Sequence, residues 1–253
     1  MAGIFISRGM TVGIPARGLV IGIGEDGKTT SSLTLHVHFD VCPTWLELAL
    51  HHLEESKARQ SERAAAWAAT DEQAKASTLE REFESSMQAI MASAIAIDAF
   101  YGALRKKAEI PEMLVRRWRD KRTARYLQIA EVIRIAFGLR NRGVKALRQN
   151  LKEIYRLRDL AVHPSGDIKA PILHPELGVG VEWRFAFFRH HNAELVVGTT
   201  ARMLAELVTS GKPRNQAVQQ YADAVRVRLA QFGVNPNTPV AVGHANPSTP
   251  TET

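Results

Sequence analysis

The segment from Thr70 to Lys107 constrains this chain's fold more than any other. Met87, Ile90, Met91, Ala94, Ile97, Tyr101 and Leu104 follow the three-and-four spacing that lines one face of an α-helix. The other faces are also rich in Ala and Ile, so the helix should run through the middle of the fold. Thr70-Asp-Glu-Gln73 reads as a capping box at its start. Its most apolar stretch, Ala89 to Leu104, carries Asp98 and reads as too short and too polar to span a bilayer.

The surrounding pattern is helical from Pro43 onward. Helices are expected over about 45–67, from Pro111 past Trp118, over 123–137 with Gly138 as the stop, over 144–162, and over 192–209 and 214–232. The first forty residues alternate or run apolar at Ile4–Ser7, Gly18–Ile23 and Leu33–Phe39, which reads as antiparallel β. Val181 to Phe188 also alternates like a strand. The expected fold is therefore mostly α, a helical bundle with a small N-terminal β segment. Its parts are a β-rich segment over 1–42, a helical connector over 43–79, the main helical domain over 80–232 and a disordered tail over 233–253.

Two tempting motifs fail on context. Gly22-Ile-Gly-Glu-Asp-Gly-Lys-Thr29 fits the phosphate-loop pattern letter for letter. That loop works only where a helix starts at its Lys-Thr end and aims free N–H groups at phosphate. Here an alternating strand follows, so the stretch reads as a hairpin turn. His36 and His38, like His51 and His52, lack Cys or acidic ligands at zinc spacing and read as surface residues, with no metal expected.

Charge distribution points to a polyanion. Between Arg105 and Arg158 the chain carries 17 Lys/Arg against five Asp/Glu, whereas Thr44 to Glu84 carries nine acids and five bases. Such asymmetry suits nucleic acid, or simply a solvated surface balancing acidic segments elsewhere. One cysteine, Cys42, excludes an internal disulfide framework, and no secretory signal is visible at the start. A cytoplasmic protein that does not engage a membrane is expected.

The basic excess converges on one helix. Lys145, Arg148, Lys152 and Arg156 form a stripe beside Leu147, Leu151 and Ile154, and Arg158 occupies the next position of the apolar stripe. A guanidinium there needs an acid or a phosphate, since burying it unpaired is costly. Asp98 is the mirror case on the central helix, which predicts that it lies near Arg158 or His163. Pro164 disfavours helical geometry at His163, so the helix should unwind there and let Arg158 and His163 converge on one ligand.

Arg158-Asp159-Leu-Ala-Val-His163 resembles the HEPN superfamily, helical domains whose ribonuclease members carry an Arg, four to six residues, then a His. Asp159 matches the polar position after the Arg, and Ser93 to Leu104, bearing Asp98, is similar to the family's first core helix. The likeness covers roughly residues 80–232. Arg156–His163, Arg184–His190 and Arg184–His191 fit the same spacing, but only Arg158–His163 combines it with Asp159, a basic helix end and a following proline.

The resemblance implies metal-independent RNA cleavage without a cofactor, in which the ribose 2′-OH attacks the adjacent phosphate. His163 would be general acid/base, Arg158 would stabilise the phosphate, and Asp159 or Asp98 would orient them. Lys145, Arg148, Lys152 and Arg156 would follow the RNA backbone. One Arg and one His are half a set, so a two-fold homodimer is expected to complete the site. A toxin or host-defence role, with an antitoxin or other protein partner, is common among such domains. Three other readings stay open: a non-catalytic module binding RNA or a nucleotide, a basic interaction domain for an acidic protein, and a plain helix C-terminus where Arg and His meet the dipole.

Overall fold

A computed structural model describes residues 6–7, 9–23, 26–163 and 168–237 of the chain. It divides into two compact units, 1–41 and 42–253. In the first, β1 (Met10–Gly13) pairs antiparallel with β4 (His36–Phe39), and β2 (Leu19–Ile23) pairs antiparallel with β3 (Thr29–Leu33). Ile23 lies opposite Thr29, and Gly27 takes a left-handed φ of 71°. The would-be phosphate loop thus connects two strands and opens no helix. Of the strand expected at 4–7, Ile4 and Phe5 lie outside the described residues, while Ile6 and Ser7 are not in a strand.

The second unit is helical: α1 (Cys42–Trp67), α2 (Glu72–Lys107), α3 (Glu112–Asp120), α4 (Arg125–Phe137), α5 (Asn141–Val162), α6 (Trp183–Phe187), α7 (His190–Ser210) and α8 (Gln216–Gln231). The protein is mostly α with antiparallel strands near its N-terminus. Helices α1 and α2 form a hairpin; α7 packs on both, while α4 and α5 pack on α2 and on each other. Ala89, Ala92, Ser93, Ala94 and Ala96 of α2 are almost wholly buried. Small side chains on several faces let neighbouring helices approach closely. By length and apolarity alone α2 contains a window able to cross a membrane, contrary to the expectation from Asp98. Of that window 56% is buried inside the helical unit.

Helix α1, read as a connector, belongs to the same core: Leu46 and Ala49 are fully buried because Trp45, Leu46, Ala49, Leu50 and Leu53 form a stripe of their own. Asp71, rather than Thr70, caps α2, its carboxylate accepting from the N–H groups of Gln73 and Ala74 at 3.0 and 3.3 Å. Asp71→Ala should cost about 1 kcal/mol in urea unfolding, and no change would show that solvent serves those groups as well. Gly138 ends α4 at a φ of 59°, as its sequence position predicts.

Two elements differ from expectation. Of the stretch 181–188, Val181 ends β6 (Gly180–Val181), which pairs with β5 (Ile172–Leu173). Trp183–Phe187 is helical, capped by the Glu182 carboxylate accepting from Arg184 N–H at 2.8 Å. Its aromatic alternation suits tertiary contacts: Phe185 and Phe188 both meet Phe83 of α2. The expected disordered tail begins with structure. Gly233, at a φ of 73°, donates to Ala230 O while Val234 donates to Leu229 O, the Schellman closure of α8, and Val234 is buried. The tail from residue 238 lies outside the described residues.

Candidate functional site

Helix α5 carries the site. Leu147, Leu151 and Ile154 are buried, and Arg158, next on that stripe, keeps 25% of its side chain exposed. Its guanidinium lies 5.0 Å from the centre of the Tyr155 ring and 3.0 Å from Asp159 Oδ1. His163 caps the helix in a non-helical conformation, φ −120° and ψ 72°, with its N–H donating to Asp159 O at 2.9 Å and its side chain exposed. Pro164 itself lies outside the described residues.

Asp98 takes a partner that sequence reasoning missed. Arg125, the first residue of α4, donates to its carboxylate at 2.7 Å and stacks over the Tyr101 ring at 4.1 Å. Burial opposes the Arg125 charge, but the Asp98 hydrogen bond and charge more than offset it, raising its pKa. Between Asp98 and Arg158 stands Tyr155, 3% exposed. Burial first, then the Asp98 charge, push its hydroxyl far above its ordinary pKa, against the pull of Arg125 and Arg158. Among the described residues the buried Tyr155 Oη has no hydrogen-bond partner. The signal for Arg125 was an arginine opening a helix whose neighbours, Tyr126 and Ile129, point inward.

Three cations of the basic stripe share a cleft. Lys145, Arg148 and Lys152 line it from α5, facing Tyr126, Leu127 and Arg134 of α4. Arg156 departs from them: it pairs with Glu153 at 2.9 Å and lies 5.5 Å from the Phe187 ring centre. Among the described residues no group of three His, Cys, Asp or Glu is placed to hold a metal ion.

A second ionic cluster, not foreseen from sequence, joins α1, α2, the β5–β6 turn and the start of α7. Arg63 of α1 donates to both Glu82 of α2 and Glu176 of the β5–β6 turn; the Arg63 and Glu82 side chains are 3% and 2% exposed. Glu82 also accepts the His190 N–H at 3.0 Å, and Arg189 stands 3.4 Å from Glu176. Ser56 donates to Leu53 O and so meets His190 Nδ1 as an acceptor at 2.8 Å. The available signal was Glu82 in a row of small residues, Thr78, Ser85, Ser86 and Ala89, on the buried side of α2.

His174 is fully buried within this cluster, its Nδ1 accepting Glu176 N–H at 3.2 Å. Burial, then the Arg63 charge, push its pKa down to about 4, with Arg189 acting the same way and Glu176 opposing. A folded-state pKa below the unfolded value of about 6.5 means the unfolded chain binds the proton first. The neutral imidazole's stability is therefore complete above about pH 6.5 and lost as pH falls towards 4, on the order of 3 kcal/mol. His174→Gln should flatten that part of a urea-midpoint profile; an unchanged slope would assign it to other groups. Glu176 adds a lower window: despite burial, Arg63 holds its pKa below the ordinary value, so its contribution is lost as pH falls through that depressed value.

No family model, curated protein or solved structure matches this chain. The site must be read from its own chemistry.

Proposed function

We propose that the chain is a cytoplasmic, metal-independent endoribonuclease of HEPN type, acting as a two-fold dimer. The observation that carries this reading is the exposed, non-helical His163 ending a helix near whose end Arg158 keeps a quarter of its side chain open to solvent. An imidazole with a reference pKa near 6.5 suits proton transfer at neutral pH. A guanidinium fork suits phosphate oxygens. Arg158 is pre-aimed by the Tyr155 ring, and its pair with the largely exposed Asp159 is worth about 1 kcal/mol or less. A phosphodiester can therefore displace or share that carboxylate. His163 takes the 2′-OH proton and Arg158 stabilises the phosphorane; a second copy of the helix end returns a proton to the leaving 5′-oxygen.

The test is incubation of RNA with the full chain in EDTA, reading for 2′,3′-cyclic phosphate ends. Cleavage should occur in the parent; its persistence in both Arg158→Ala and His163→Ala would reject the site. The Asp159 partnership also favours a second reading, a non-catalytic RNA-binding module with Arg158 as a structural residue. In that case RNA binding falls with the basic cleft residues, His163→Ala leaves it unchanged, and no cyclic ends form. A toxin or defence role, with an antitoxin as partner, belongs with the nuclease reading and would appear as growth arrest on expression that His163→Ala relieves.

A further inference from the structure

The cleft between α4 and α5 is about 580 Å³, within the range of small-ligand sites. Its charge is not internally balanced. Glu131 is the one acid among its lining residues, and Arg134 binds both of its oxygens at 2.7 and 2.9 Å. Arg148 reaches the same carboxylate only at 3.8 Å. Lys145 and Lys152 are exposed and have no acidic partner among the described residues. The three α5 cations occupy two turns, about 10 Å of helix axis, a length that accommodates consecutive phosphates of an extended strand.

The opposite wall is of different chemistry. Tyr126 and Leu127 give it an aromatic and an aliphatic surface beside the Glu131–Arg134 pair, while Gln149 adds an amide on the α5 side. Phosphate alone would have no use for that wall. A duplex keeps its bases stacked inside and offers none to it. A nucleotide with a free base face uses both sides, since aromatic stacking beside a cationic track is how unpaired strands are held.

We propose that the α4–α5 cleft binds a short unpaired strand, consecutive phosphates at Lys145 and Lys152 and a base against Tyr126. This deepens the RNA reading above by giving the substrate a single-stranded segment bound upstream of His163. Its test reads binding alone. Fluorescence anisotropy of the full chain would use a 2′-O-methyl oligoribonucleotide, which lacks the attacking hydroxyl, beside a duplex of the same sequence. AMP and inorganic phosphate would serve as competitors.

The single strand should bind at least about tenfold tighter than the duplex, and Tyr126→Leu should weaken it about tenfold without changing the salt slope. Lys145→Ala/Lys152→Ala should lower the slope of log K on log salt by about 1.4. That double variant alters only exposed side chains, so it remains decisive if Tyr126→Leu fails to fold. Displacement by AMP, but not by phosphate, would make a free nucleotide an additional occupant of the same site. Equal duplex binding, equal competition by phosphate or by polyglutamate, or parental affinity in the double lysine variant would overturn the proposal. Binding as expected without cleavage would remove the nuclease and leave the cleft; cleavage with parental binding in the cleft variants would do the reverse.

Discussion

Arg63→Ala should destabilise the helical unit by about 3–5 kcal/mol, the loss characteristic of breaking a buried ion pair from one side. The side chains of Arg63 and Glu82 are 3% and 2% exposed, so water cannot replace the missing guanidinium. Glu82 would keep the His190 N–H, and Glu176 would keep Gln60 and Arg189. Glu82 would then stand desolvated with no paired cation, while Glu176 would retain, of its cations, only the Arg189 contact at 3.4 Å. Arg63→Met/Glu82→Leu should recover part of the loss, because apolar replacement of this pair removes its desolvation cost together with its attraction, while Glu176 still lacks Arg63 and the His190 N–H loses its acceptor. Arg116→Ala is the control: its pair with Glu112 is 68% and 78% exposed and should be worth under about 1 kcal/mol. Urea unfolding at pH 7.5 reads all three. A loss below about 1 kcal/mol for Arg63→Ala would mean that the cluster is hydrated.

The second large effect belongs to the helix end. His163→Ala should reduce RNA cleavage by about 10²- to 10⁴-fold, the span of a general acid/base. Arg158→Ala should lose on the order of 10²-fold or more, as removal of a group that stabilises transition-state charge does. Arg158→Lys should restore little, because an ammonium reproduces the charge without the planar fork or the stacking on Tyr155. His163 is the exposed C-cap of α5 and Arg158, in its last turns, is partly buried, so the melting temperature should move little for His163→Ala and only modestly for Arg158→Ala. Thermal melts beside gel-based cleavage separate the cases. Loss of activity that tracks loss of folding would show these residues to be structural.

The helices were legible because each has its own periodicity and stop signal. The α2 stripe, Gly138 after α4 and Pro164 after α5 act through local backbone chemistry, which neighbours in sequence carry. The stretch at Trp183–Phe187 misled for the opposite reason. Aromatic residues alternate there as in a strand, yet a single carboxylate cap and contacts to Phe83 hold a short helix. Val234 was unreadable as core because its burial depends on the turn at Gly233.

The candidate site divides along the same line. Arg158, Asp159 and His163 lie within six residues at one helix end, so their nearness along the chain is legible in the sequence itself. Asp98 was visible as a misplaced charge on an apolar stripe, but which cation would meet it was not. Sequence reasoning set Asp98 beside Arg158 or His163, and only the packing of α4 on α2 brought Arg125 to its carboxylate. The cluster of Arg63, Glu82, His174 and Glu176 joins residues more than a hundred positions apart.

By itself, then, the sequence determined the helical class, most helix ends, the basic face of α5 and the Arg–His spacing, all set by interactions within a few turns of chain. Tertiary structure alone decided which charges neutralise one another, which polar groups lose water, and that Lys145, Arg148 and Lys152 border a cleft with Tyr126 while Arg156 does not. Those outcomes depend on distances between segments, and the hydrophobic pattern specifies that segments pack without specifying which polar side chains meet.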